Sequence, residues 1–147
     1  MPMQSARVDA TITVQASIED AYEAWTKTEW LARWFKPSAD SVCRIIIHEP
    51  IVGGEWRIEV TRPDGEMYRV GGHYLELSRP DRLRFTWAWE EGAPDDFHDE
   101  TTVLVDFVRT KKGTRIHVQH DRVPAQLIPI HHEGWMAALD LLKNIPM

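Results

Sequence analysis

Cysteine is nearly absent. Cys43 is the one thiol in 147 residues, so no internal disulfide staples the fold, and a reducing cytoplasmic compartment is expected. Long apolar runs are missing too. None approaches the roughly 20 residues that a membrane-spanning helix needs, so no membrane insertion is expected. Positive charge is short, with 17 Lys and Arg against 23 Asp and Glu. The net charge of −6 argues against nucleic acid, which requires a basic stripe, and against an anionic lipid surface. The opening residues, MPMQSARVDA, lack the charged start and apolar core of a secretory signal. No repeat, low-complexity segment or linker divides the chain. The expectation is a single domain over residues 6–147, with 1–5 a frayed end.

Tryptophan is what the chain has in excess. Seven indoles, each able to bury about 150–250 Å2, supply much of a core or line a pocket. The other strong feature is the C-terminal stretch Pro124 to Asn144. Pro124 and Pro129 suit a helix start, and Ala137, Ala138, Leu139, Leu141, Leu142 and Lys143 are strong helix formers. Ile128, His131, Trp135, Ala138, Leu139 and Leu142 recur at spacings of three and four, which predicts one apolar helix face.

Almost everything before that helix reads as strand. Val8, Ala10, Ile12, Val14 and Ala16 alternate with polar residues, the mark of a half-buried strand. Ser17 reads as an N-cap for a short helix carrying Ile18, Ala21, Tyr22 and Trp25. A second short helix pairs Trp30 with Trp34 and Leu31 with Phe35 before Pro37 stops it. A meander follows over 42–48, 55–61, 66–77, 83–89, 101–108 and 114–121. Its turns fall at Gly53-Gly54, Pro63-Asp64-Gly65, Arg79-Pro80-Asp81 and Lys111-Lys112-Gly113, with an acidic connection over 90–100. Gly71-Gly72 predicts a bulge or bend. The fold class is α+β, with a curved antiparallel sheet of about seven strands wrapped around a long C-terminal helix. Two short helices follow the first strand.

These residues resemble a known family. The run Trp25-Thr26, Leu31, Trp34-Phe35, Pro37, Gly53-Gly54 and Pro63-Asp64-Gly65 is similar to the activator-of-heat-shock-protein-ATPase homologues. Gly72-His73-Tyr74, Arg82-Leu83, Thr86-Trp87, Gly113-Thr114, His120 and Gly134-Trp135 with Leu139 continue the match, from about Ala6 to Ile145. The family lies in the START-like, birch-pollen-allergen-like (SRPBCC) superfamily of helix-grip folds. The resemblance implies binding of lipids, sterols, polyketides or other apolar molecules beneath the long helix. A few superfamily members are cyclases or hydrolases, and the eukaryotic namesake is a co-chaperone with an additional domain.

Seven histidines raise the question of a metal. His117 and His120, three apart in a strand, point to opposite faces, and adjacent His131 and His132 diverge on a helix, so no metal site and no cofactor are expected. His120 falls in phase with Thr114, Ile116 and Val118, on the inner face, and His131 shares a helix face with Trp135. Two imidazoles thus look toward one cavity from opposite walls. They read either as a pair that orients a ligand or moves a proton, or as buried histidines satisfied by a backbone carbonyl or Tyr74. The plainer reading is the one expected. Gly134 is expected to let the helix approach the sheet closely.

The expected cavity lining is Trp30, Trp34, Trp56, Tyr74, Phe85, Trp87, His120, His131, Trp135 and Ala138, with the short helices acting as lids. The expected function is binding of a small, largely apolar molecule between sheet and helix. The alternatives are a cyclase- or hydrolase-type enzyme using a cavity histidine, and a stress- or chaperone-associated interaction module. A chaperone partner and a homodimer stay open.

Overall fold

The computed structural model describes residues 5–146. The frayed end expected over 1–5 falls almost wholly outside this span. Ser5 is described, and it pairs with Pro124.

Strand β1 (Ser5–Val14) leads into helices α1 (Ile18–Thr26) and α2 (Thr28–Trp34). Ser17 caps α1 as its sequence predicts, its Oγ accepting the Asp20 backbone N–H at 3.1 Å. Strands β2 (Val42–His48), β3 (Glu55–Thr61), β4 (Met67–Ser78), β5 (Arg82–Glu91), β6 (Thr101–Thr110) and β7 (Gly113–Pro124) then form a meander. One turn of 3-10 helix (Ala125–Leu127) delivers the chain into α3 (Ile128–Lys143), with Pro129 in the first turn. The seven-stranded sheet is antiparallel throughout, in the order β1-β7-β6-β5-β4-β3-β2.

Period-two patterning places one side of each strand inward. Trp56, Ile58 and Val60 of β3, and Leu83, Phe85, Trp87 and Trp89 of β5, are buried with Val103, Val105 and Phe107 of β6. On β7 the inward set is Thr114, Ile116, Val118 and His120. Helix α3 covers this face with His131, Trp135, Ala138, Leu139 and Leu142, all buried.

The bend expected at Gly71-Gly72 is present on one side only. Pairing of β3 with β4 runs through both glycines without interruption, whereas the β4–β5 register shifts on either side of them. A Cβ on Gly72 would run into the Thr86 carbonyl, so β5 can cross this point only because that side chain is missing. β2 forms one edge of the sheet, and Val42 and Ile46 face solvent.

Candidate functional site

Residues 131, 134, 135 and 138 recur at three and four along α3 and so share one face. With the sheet and the end of α2 they enclose a cavity of ≈ 100 Å3. Its lining is Phe35, Lys36, Pro37, Ile58, Arg62, Tyr68, Trp87, Trp89, Ile130, His131, Gly134, Trp135 and Ala138. Ile130 is half-exposed and Lys36, Arg62 and Gly134 partly so, marking the mouth.

The volume is modest. An apolar cavity of about 150 Å3 accepts benzene, while drug-sized pockets run to about 300–1,000 Å3. The reason is aromatic filling. Trp25 stacks on Trp135 with ring centroids 6.0 Å apart, Trp34 lies edge-on to Trp25 at 4.5 Å, and Phe35 sits 5.7 Å from Trp87 and 5.9 Å from Trp135. The rings occupy most of the space that a helix-grip sheet and its helix leave between them. A second hollow of ≈ 10 Å3, lined by Trp25, Leu31, Phe35, Trp56, Tyr74, Leu83 and Phe85, has room for about one water.

The ten residues expected to line one space are therefore divided. Trp87, His131, Trp135 and Ala138 line the larger cavity; Trp56, Tyr74 and Phe85 border the smaller hollow. His120, fully buried, lies behind Trp87 and Trp135 and lines neither. Trp34 also lines neither, because its indole turns between the short helices and donates to the Ala24 carbonyl at 2.9 Å. Trp30 is only half-buried, with the Arg33 guanidinium 5.0 Å over its ring. The lid residue that does reach the cavity is Phe35, after α2 has ended.

Gly134 acts differently from its expectation as a point of close approach. A Cβ there would meet nothing within 4 Å. The missing side chain contributes open space to the cavity instead of tight helix–sheet contact.

The two inner histidines do meet, with ring centroids 5.4 Å apart. Every ring nitrogen is engaged. Trp135 Nε1 donates to His120 Nδ1 at 3.1 Å, and His120 Nε2 lies 2.7 Å from Thr101 Oγ1. Thr101 spends its single proton on the Trp87 carbonyl at 2.9 Å, so His120 Nε2 must be the donor. His131 mirrors this arrangement: Nε2 accepts from Trp89 Nε1 at 3.1 Å, and Nδ1 donates to the Leu127 carbonyl at 3.0 Å. Both imidazoles are thus neutral, each with one nitrogen facing an indole N–H that can only donate.

Burial pushes the His120 pKa down to about 3, with neighbouring His131 adding to the effect. Burial lowers His131 as well, opposed by the bond to the Leu127 carbonyl. Proton exchange with a bound molecule would first break one of these buried bonds. Tyr74, considered as a partner for the inner histidines, instead places its hydroxyl 2.9 Å from His48 Nε2, whose Nδ1 lies 2.8 Å from Thr28 Oγ1.

Two buried indole N–H groups, on Trp25 and Trp87, have no hydrogen-bond partner among the described residues. Among these residues no group of three His, Cys, Asp or Glu side chains is placed to hold a metal ion, and no helix is long and apolar enough to cross a membrane. Burial pushes the Cys43 thiol up to about 12, far from a reactive thiolate.

Besides Phe35 and Gly134, the wall residues outside the expected lining fall into two groups. Ile58, Tyr68 and Trp89 follow period two with buried neighbours and were visible in principle. Lys36, Pro37, Arg62 and Ile130 lie where no periodicity marks them, and only the fold brings them to the mouth.

Comparison with known proteins gives the same architecture. A protein from Chromobacterium violaceum superposes with a TM-score of 0.83 at 22% identity, over 95% of this chain and 96% of that one. A protein from Mycobacterium smegmatis gives 0.80 at 17%, over 93% and 88%. The AHSA1 protein from Silicibacter pomeroyi gives 0.80 at 21%, over 94% and 95%. At these identities the likeness is one of fold. No curated protein gives a significant match. The family model for "Activator of Hsp90 ATPase homolog 1-like protein" matches residues 15–145, and the chain therefore belongs to that family.

Proposed function

We propose that this protein binds a small, largely apolar molecule in the cavity between the sheet and α3. The supporting observation is the ≈ 100 Å3 space, walled by Phe35, Ile58, Trp87, Trp89, Trp135 and Ala138 and reaching a mouth beside half-exposed Ile130. Concave, aromatic-walled spaces with few polar groups are the usual form of small-molecule sites. The cavity volume favours a single ring or a short branched chain over a sterol, unless Phe35 and the short helices move aside. The lone thiol of Cys43 suits a reducing, cytoplasmic setting.

A cyclase or hydrolase reading is less favoured, because the His120 and His131 nitrogens are committed to Trp135, Thr101, Trp89 and Leu127. A chaperone-associated module is the second reading. It draws on family membership and on exposed Val42 and Ile46 along the β2 edge, with Ile51 and Val52 in the following turn.

Tryptophan fluorescence titrated with single-ring and short-chain ligands tests the proposal, with native mass spectrometry of the freshly purified protein alongside. A saturable response that is lost in Gly134→Leu, which fills the open position on α3, supports the cavity. No saturable response and no retained molecule would move the reading to the surface module.

A further inference from the structure

The cavity is apolar inside and cationic at its mouth. Lys36 and Arg62 both contribute to its lining, and no Asp or Glu does. This is a local reversal in a chain whose net charge is −6. Neither cation has a carboxylate partner among the described residues, unlike Arg57, Arg69 and Arg82 on the strands. Lys36 Nζ holds one acceptor, the Ala39 carbonyl at 3.2 Å, and Arg62 lies over the Tyr68 ring at 5.1 Å. Both therefore retain unused donors.

We propose that the cavity takes a small aromatic or branched aliphatic carboxylate, its apolar body against Phe35, Trp87 and Trp135 and its charged end toward Lys36 and Arg62. The proposal rests on the cavity reading above and adds the class of ligand. A carboxylate supplies what an alkane or an uncharged ring does not: negative charge for the two cations at the mouth. The body must be about the size of one ring, because ≈ 100 Å3 admits no more without rearrangement.

Phenylacetate and phenylacetamide, nearly equal in shape and differing in charge, separate the two levels of the claim. Titrated into the full chain by fluorescence or calorimetry, phenylacetate is expected to bind roughly tenfold tighter or more, with an advantage that shrinks in high salt. The double variant Lys36→Gln, Arg62→Gln should bring the affinity ratio of acid to amide close to one. Gly134→Leu should abolish binding of both. Far-ultraviolet dichroism and a melting curve establish that each variant is folded. Equal affinities for acid and amide in the parent protein, both lost in Gly134→Leu, would overturn the carboxylate inference and leave the cavity reading intact. Binding of neither ligand, or binding of phenylacetate that survives Gly134→Leu, would overturn both.

Discussion

Trp135 and His120 join helix α3 to strand β7, next to the β1 edge of the sheet. The indole N–H of Trp135 on α3 reaches His120 Nδ1 on β7 at 3.1 Å, and both side chains are buried. The contact combines a large apolar surface with a directional bond, so its two parts can be removed separately.

Trp135→Ala removes both and should destabilise the protein by about 3–5 kcal/mol in a denaturant titration. Trp135→Phe keeps most of the ring but leaves the His120 acceptor unmet, at a smaller cost of about 1–3 kcal/mol. A loss under about 1 kcal/mol for Trp135→Ala would be inconsistent with its burial.

Stability should fall in acid, and His120 should be a principal cause. Its pKa drops from about 6.5 in the unfolded chain to about 3 in the fold. Between those values the unfolded state binds more protons. Stability is therefore full above about pH 6.5 and declines as pH falls toward 3, by a few kcal/mol in order of magnitude. His48 and His131, also lowered by burial, act with the same sign. Urea midpoints at pH 7 and 4.5 should fall further apart in the parent protein than in His120→Gln. Equal slopes would remove His120 as the source.

Two glycines should respond in opposite directions. Gly134 has open space around its Cβ position, and Ala there should raise stability by about 0.5–1 kcal/mol through helix propensity. Gly72→Ala sets a methyl against the Thr86 carbonyl and hydroxyl and should cost about 1–3 kcal/mol or more. Thermal melts of the two variants check the contrast, and matching shifts would refute it.

Helix α2 should be the least protected regular element. It has seven residues, and its N-cap residue, Lys27, makes no side-chain cap bond. Amide exchange over 28–34 is expected to exceed that of β5 to β7, and to slow with ligand because Phe35 lines the cavity. Uniform protection across the chain, with and without ligand, would speak against a lid.

The strands and α3 were legible because each repeats a period: two for Leu83, Phe85, Trp87 and Trp89, three and four for His131, Trp135 and Ala138. The inward phase of His120 followed from the same rule. Period says which way a side chain points but not how much room it finds. Trp34 was expected at a lid and instead sits in the core, because its indole answers the Ala24 carbonyl. Gly134 next to a large aromatic reads like a close-packing device, yet the neighbouring wall stands back from it. Lys36 and Arg62 carry no pattern, and their nearness is a product of the closed fold alone.

The paired indole–imidazole bonds have a consequence for how α3 can be seated. One runs from sheet to helix, Trp89 to His131, and the other from helix to sheet, Trp135 to His120, with the two helix positions one turn apart. Apolar packing alone tolerates a helix that slips by a turn, since leucine replaces leucine. Here a slip in one direction would set Trp135 against Trp89, donor facing donor. A slip in the other would set His131 against His120, leaving Trp89 without its acceptor. Rotation about the helix axis would break both bonds together. The four residues work as a keyway that admits α3 in one azimuth and at one height, so the surrounding aliphatic wall can change in shape and volume without releasing the helix from its seat.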